Sequence, residues 1–116
     1  MVHNISISTP ANTAYAKRKK SHWQLELGIV EELFIYFPPG CMAYNKLQMY
    51  YHGALVFPKA RGYFRGNNAL FSFHHVYYPL FSEPYELVCI TWNTSMLYSH
   101  SVDIYATVTP YQRFLE

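Results

Sequence analysis

Apolar and polar residues alternate with a period of two along much of this chain. In "HWQLELG", Trp23, Leu25 and Leu27 fall on one side, with Gln24 and Glu26 on the other. In "SVDIYATV", Val102, Ile104, Ala106 and Val108 share one side, with Ser101, Asp103, Tyr105 and Thr107 opposite. Successive side chains of a strand point to opposite faces, so both segments predict half-buried strands with one wet side. "ISIS" (5–8) alternates in the same way, and "STPANT" after it reads as a turn or extended link. Three stretches, "LFIYF" (33–37), "ALFSF" (69–73) and "ELVCITW" (86–92), are apolar at odd and even positions alike. That pattern predicts central strands, or strands covered by a neighbour. "GIVEELF" is the best helical stripe, but its β-branched and aromatic residues favour a strand.

The breaks between these runs have their own chemistry. "KLQMYYHGALVFP" alternates at Leu47, Met49 and Tyr51 and resumes after His52-Gly53, which predicts a hairpin with glycine free to take a positive φ. "RGYFRGNNA" (61–69) reads as a connecting loop. In "IYFPPG" (35–40), Phe37 ends a strand and Pro38-Pro39-Gly40 turns the chain. Every proline closes an apolar run, where a missing amide donor does a sheet no harm. Roughly eight strands spaced about 10–15 residues apart predict a single antiparallel β-sandwich, jelly-roll-like, over residues 1–116. Residues 1–22 are expected to form an N-terminal strand and a basic loop able to act as an arm.

Composition adds one constraint. Hydrophobic residues make up 51% of the 116-residue chain and charged residues 14%, against about 25% charged in an average domain. Much of the surface must therefore be uncharged polar, aromatic, or covered by a partner. Twelve Tyr and eight Phe supply the aromatic share, and Tyr tolerates a surface that is alternately wet and buried. The net charge of +2 does not argue for nucleic acid. Basic residues cluster once, at Lys17, Arg18, Lys19 and Lys20, read as an exposed loop that is solvated or pairs with acidic groups on a neighbouring subunit. Cys41 and Cys89 lack metal-like spacing and are expected as two buried thiols. The first ten residues have no basic-then-apolar leader, and no apolar run nears the roughly 18 residues of a membrane span. The sequons at Asn4 and Asn93 are read as accidental.

Candidate chemistry is thin. His74 and His75 are adjacent, and in a strand they would face opposite ways and could not share a metal ion. Glu31-Glu32 and the Glu83, Glu86 pair offer carboxylates, but glycosidase chemistry needs two facing each other across a cleft. Ser99, His100 and Asp103 all come from one strand or its approach, whereas a triad draws convergent groups from separate elements. No catalysis, cofactor or metal is expected. The aromatic-dense "HHVYYPLFSEPY" and "YFRGNN" suit a protein interface or sugar stacking. Tyr50, Tyr51, Tyr63, Phe64, Tyr77 and Tyr78 are the candidate contact residues.

The order "STPANT", a basic spacer, "LELGIVEELFIYFPPGC", "HGALVFP", and "YELVCITWN" before "YSHSVDIYATVTP" resembles a set of small β-sandwich virion proteins of tailed phages and related viruses. The resemblance spans nearly the whole chain. It implies that Pro38, Pro39, Gly40, Gly53, Pro58, Asn93 and His100 are turns and strand ends rather than catalytic groups. It also implies a non-enzymatic capsid- or tail-associated subunit located in the virion, contacting copies of itself and other virion proteins. A carbohydrate- or receptor-binding module is the alternative expectation.

Overall fold

The computed structural model describes residues 2–40, 44–58 and 62–110. Its elements are β1 (Val2–Thr9), a 3-10 turn (Tyr15–Lys17), β2 (Lys19–Gln24), β3 (Gly28–Phe37), β4 (Asn45–Tyr51) and β5 (Ala54–Phe57). These are followed by β6 (Phe64–Arg65), β7 (Ala69–Phe73), β8 (Tyr78–Leu80), β9 (Glu86–Asn93) and β10 (His100–Pro110). One sheet runs β1-β10-β3, with β7 and β8 sharing the outer edge of β3. The other runs β2-β9-β4, with β5 and β6 sharing the outer edge of β4. All pairings are antiparallel.

The pairings have a simple logic. β1 pairs with β10, β2 with β9, β3 with β7 and β8, and β4 with β5 and β6. The chain is one long folded ribbon, rolled so that β10 also meets β3 and β9 also meets β4. That is the jelly-roll arrangement of an all-β sandwich.

Period two places the core. Val102, Ile104, Ala106 and Val108 of β10 are fully buried, as are Val30, Leu33, Ile35 and Phe37 of β3. Leu47, Met49 and Tyr51 of β4 and Leu87 and Cys89 of β9 meet them from the opposite sheet. The spacing from Val30 to Leu33 breaks the alternation. A β-bulge absorbs it: Thr107 opposes Glu32 and Val108 opposes Val30, leaving Glu31 as the extra residue. Both predicted turns are present. His52 (φ 51) and Gly53 (φ 82) carry the β4–β5 hairpin with two positive φ angles, as a type I′ turn requires. β3 ends at Phe37 and Gly40 takes φ 97. The Asn68 amide donates to the Pro38 carbonyl and the Gly40 amide to Asn67 Oδ1, which ties the turn to the loop before β7.

Several expectations need correction. The described residues form ten strands rather than about eight, because β6 and β8 are too short to carry a readable period. "ALFSF" is an edge strand, with Leu70 and Phe73 exposed, since only its β3 side is paired. Within "RGYFRGNNA", Phe64 and Arg65 pair with Leu47 and Lys46 and so form more than a loop. β2 ends at Gln24, so Leu25 and Leu27 lie beyond it, and Leu27 is exposed. The basic run is not a loop or arm. Lys17 closes the 3-10 turn, and Lys19 and Lys20 open β2 opposite Thr91 and Ile90. Cys41 lies outside the described residues, whereas Cys89 is a buried free thiol. Among the described residues, no helix is long and apolar enough to cross a membrane.

Two measurements follow from this core. Leu33→Ala should lower unfolding free energy by about 2–5 kcal/mol in urea titration, because the rigid inner faces cannot close over the cavity. Burial pushes the Cys89 thiol up to about 12, while an unfolded cysteine titrates at about 8.5. The folded state therefore holds a proton that the unfolded state releases. The stability this confers is complete below the unfolded value and is lost between the two, at about 1.4 kcal/mol per pH unit. Cys89→Ala should flatten that alkaline slope relative to the parent protein.

Candidate functional site

β10, eleven residues long, spans about 36 Å. The molecule measures 52 × 25 × 21 Å, so the strands must run along its long axis. The registers then sort the loops into two ends. Residues 10–13, 38–40 and 94–99 lie at the end where Thr9 meets Thr91 through their hydroxyls at 2.8 Å. Residues 25–27, 52–53 and 81–85 lie at the other, where His3 meets Glu26 at 3.1 Å and the Tyr51 hydroxyl donates to the Ser82 carbonyl at 2.6 Å.

Charge follows this division. Lys17, Arg18, Lys19, Lys20, Lys46 and Arg65 all lie toward the first end, because they stand in or beside the segments paired with Ile90–Trp92 and with the start of β4. Glu26, Glu83 and Glu86 lie at the second end, and the Glu31-Glu32 bulge lies nearer that end of β3. Lys46 and Arg65 are cross-strand neighbours, and desolvation by burial, then the Arg65 charge, lower the pKa of Lys46. Asp103, which accepts from Ser6 at 2.6 Å, is the acidic group nearest the basic end among the described residues.

At the basic end, residues 94–99 form a loop that is pinned from below. Asn93 is fully buried, its Nδ2 donating to the Thr9 and Tyr98 carbonyls and its Oδ1 accepting from the Ser95 amide. The Asn12 amide donates to the Ser95 carbonyl and the Thr94 amide to the Tyr44 carbonyl. Held in this way, the loop presents Met96, Leu97 and Tyr98 to water at 73%, 78% and 67% exposure. Three consecutive large apolar side chains on a fixed backbone are the densest exposed apolar feature among the described residues.

On the outer face of the second sheet, Trp92 is buried by two rings standing edge-on to it, Tyr15 at 5.1 Å and Tyr63 at 5.2 Å. Arg18 lies over the Tyr15 ring at 4.1 Å and donates to Gln48 Oε1, while Gln48 Nε2 donates to the Gly62 carbonyl. Arg18 is thus committed to holding this cover in place.

The third feature is a cleft of about 510 Å³ between the outer edges of the two sheets, lined by β5, β6 and the residues around β7 and β8. Phe64 and Tyr78 line it. Burial and then Tyr51 nearby raise the pKa of the Tyr78 phenol. Beside the cleft, a recess of about 420 Å³ brings together Glu31, Glu32, His74, His75 and Tyr77. His74 Nδ1 lies 2.7 Å from Glu32 Oε2 and His75 Nδ1 lies 3.1 Å from the Tyr77 hydroxyl.

The structure therefore joins residues that spacing kept apart. Glu31-Glu32 and His74-His75 stand in one recess, although the two histidines follow β7 rather than lying in a strand. Of the six candidate contact residues, Tyr63 and Tyr77 are exposed, Tyr50, Phe64 and Tyr78 are half-buried, and Tyr51 belongs to the core. Ser99, His100 and Asp103 do not converge, since Asp103 turns to Ser6 and His100 shares the inward parity of Val102. Among the described residues, no three His, Cys, Asp or Glu side chains gather as metal ligands would. The sequon at Asn93 is closed by burial. The Met96–Tyr98 loop went unread because an apolar triplet after a strand has no periodicity of its own.

A search of protein-family models finds no match to this chain, and no curated protein is significantly similar to it.

Asn93→Ala should cost about 1–3 kcal/mol or more, because it strands buried backbone groups. It should also speed amide hydrogen exchange at Ser95 and Tyr98 ahead of the strands.

Proposed function

We propose that the protein is a non-enzymatic structural subunit of a virus particle, docking by its basic, apolar-tipped end in a symmetric array. The observation that carries this reading is the pinned Met96–Tyr98 loop at the end where lysine and arginine collect, opposite an acidic end. A rigid apolar loop loses little entropy on docking, and desolvated aromatic and aliphatic anchors dominate interface energy. Lys17 and Lys20 are exposed and can face carboxylates, and the exposed Glu83 supplies one at the far end of a second copy. Contact between unlike ends is heterologous, so it closes into rings or grows into an array. The 14% charge content supports the same reading.

A second reading rests on Tyr15 and Tyr63. Both residues stay exposed, at 57% and 43%, with their rings buttressed by Trp92, and Arg18 covers one face of Tyr15. Such a platform suits stacking on a sugar ring, as a carbohydrate-binding module would use it.

Light scattering across a hundredfold range of concentration discriminates between them. Assembly predicts mass that rises with concentration, falls with added salt, and is lost in a Met96→Ser, Leu97→Ser double variant whose circular dichroism is unchanged. A strict monomer at every concentration and salt overturns self-assembly. Glycan binding by that monomer, abolished in Tyr63→Ala, would establish the second reading in its place.

A further inference from the structure

We infer that the cleft between the two sheet edges is a binding site for a small amphipathic amine, an aromatic or branched aliphatic body bearing one ammonium group. Two recesses meet here and share a wall. The larger, about 510 Å³, is walled by Leu55, Phe57, Phe64, Phe73, Val76 and Tyr78, with His74 at its border. That volume lies within the roughly 300–1,000 Å³ of small-molecule sites, which combine apolar walls with a few placed polar groups. His74 also lines the smaller recess with Glu31, Glu32, His75 and Tyr77. A ligand whose body fills the first recess therefore delivers its polar end beside two carboxylates.

The polar end is selective in sign. The bulge sets Glu31 out of the alternation of β3, and among the described residues its carboxylate has no ion-pair or hydrogen-bond partner. Glu32 accepts from His74 and stays partly exposed. No described lysine or arginine lines either recess. A cation entering this corner meets the Glu31 carboxylate and the Tyr77 hydroxyl, and an anion meets the like charge of that carboxylate. The backbone supports the arrangement. His75 (φ 59) and Tyr77 (φ 51) both occupy the left-handed region. Tyrosine rarely adopts it, and such conformations gather where side chains are held for a ligand. The Val76 amide donates to the Glu31 carbonyl at 2.9 Å, so one contact locks the turn onto the bulge while Val76 itself faces the cleft.

The jelly roll explains why the cleft is open. β5 with β6 and β7 with β8 are outer edges of different sheets, so no backbone ladder joins them, and they meet through rings such as Phe57 with Tyr78 and Phe64 with Phe73, each pair 5.7 Å apart. This inference is independent of assembly, since the cleft lies away from the Met96–Tyr98 loop.

The test titrates 4-phenylbutylammonium, 4-phenylbutanol and 4-phenylbutyrate into the full chain at millimolar concentration, followed by amide chemical shifts. The ammonium should bind about fivefold or more tightly than the alcohol, the gain of one unit charge near a solvated carboxylate, and the carboxylate should bind most weakly. Shifts should centre on residues 55–57 and 73–78. Glu31→Gln should reduce the ammonium to the affinity of the alcohol and leave the alcohol unchanged. Phe57→Ala should weaken both. Equal binding of ammonium and alcohol, shifts mapping elsewhere, or no binding by any of the three would overturn the inference.

Discussion

Two inner faces that must close on each other govern this molecule. β3 and β10 on one side and β4 and β9 on the other carry most of the buried apolar residues. Each strand has to keep its apolar set pointing inward, because a slip of one residue would turn the whole set to water. Val30 and Leu33 are three apart, so β3 cannot satisfy that demand as a regular strand. The Glu31 bulge is the local answer. The same bulge places the half-buried Glu31 in one recess with Glu32, which accepts from His74. A packing requirement in the core has thereby shaped the acidic corner on the edge.

The scarcity of charge has a comparable consequence. With few ionic groups to cover the outer faces, the chain uses aromatic rings and loops. Tyr15 and Tyr63 shelter Trp92, Arg18 and Gln48 tie the loops down, and the described lysines concentrate at one end of the sandwich. The His74–Glu32 pair is exposed on both sides and adds little stability, and the His22–Glu86 pair is exposed on its histidine side. Their interest lies in placement. The apolar loop at one end and the acidic cleft along the edge are separate surfaces, and each is held by backbone hydrogen bonds rather than by mass of contact.

How much of this was legible in the chain depended on range. Alternation identified the inward residues of β10 and β4. His52-Gly53 and Pro38-Pro39-Gly40 announced their turns, because φ preference and a missing amide donor act within a few residues. The sandwich class followed from strand spacing. The rank of each strand within its sheet did not follow. "ALFSF" is as apolar as "LFIYF", yet one lies on an edge and the other in the centre, since position depends on how the ribbon rolls. The basic run reads as a loop because it follows a turn and precedes a strand. Pairing with β9 overrode that expectation.

The sequence by itself therefore determined the longer strands, the tight turns and the buried sides of β4 and β10, all of which follow from side-chain period and local backbone chemistry. Only the tertiary structure decided which residues meet. Glu32 and His74 are 42 positions apart and touch because β7 lies against β3. The segregation of charge and the pinned loop over Asn93 arise in the same way. They are products of closing the ribbon, and no local preference encodes the partner that closure supplies.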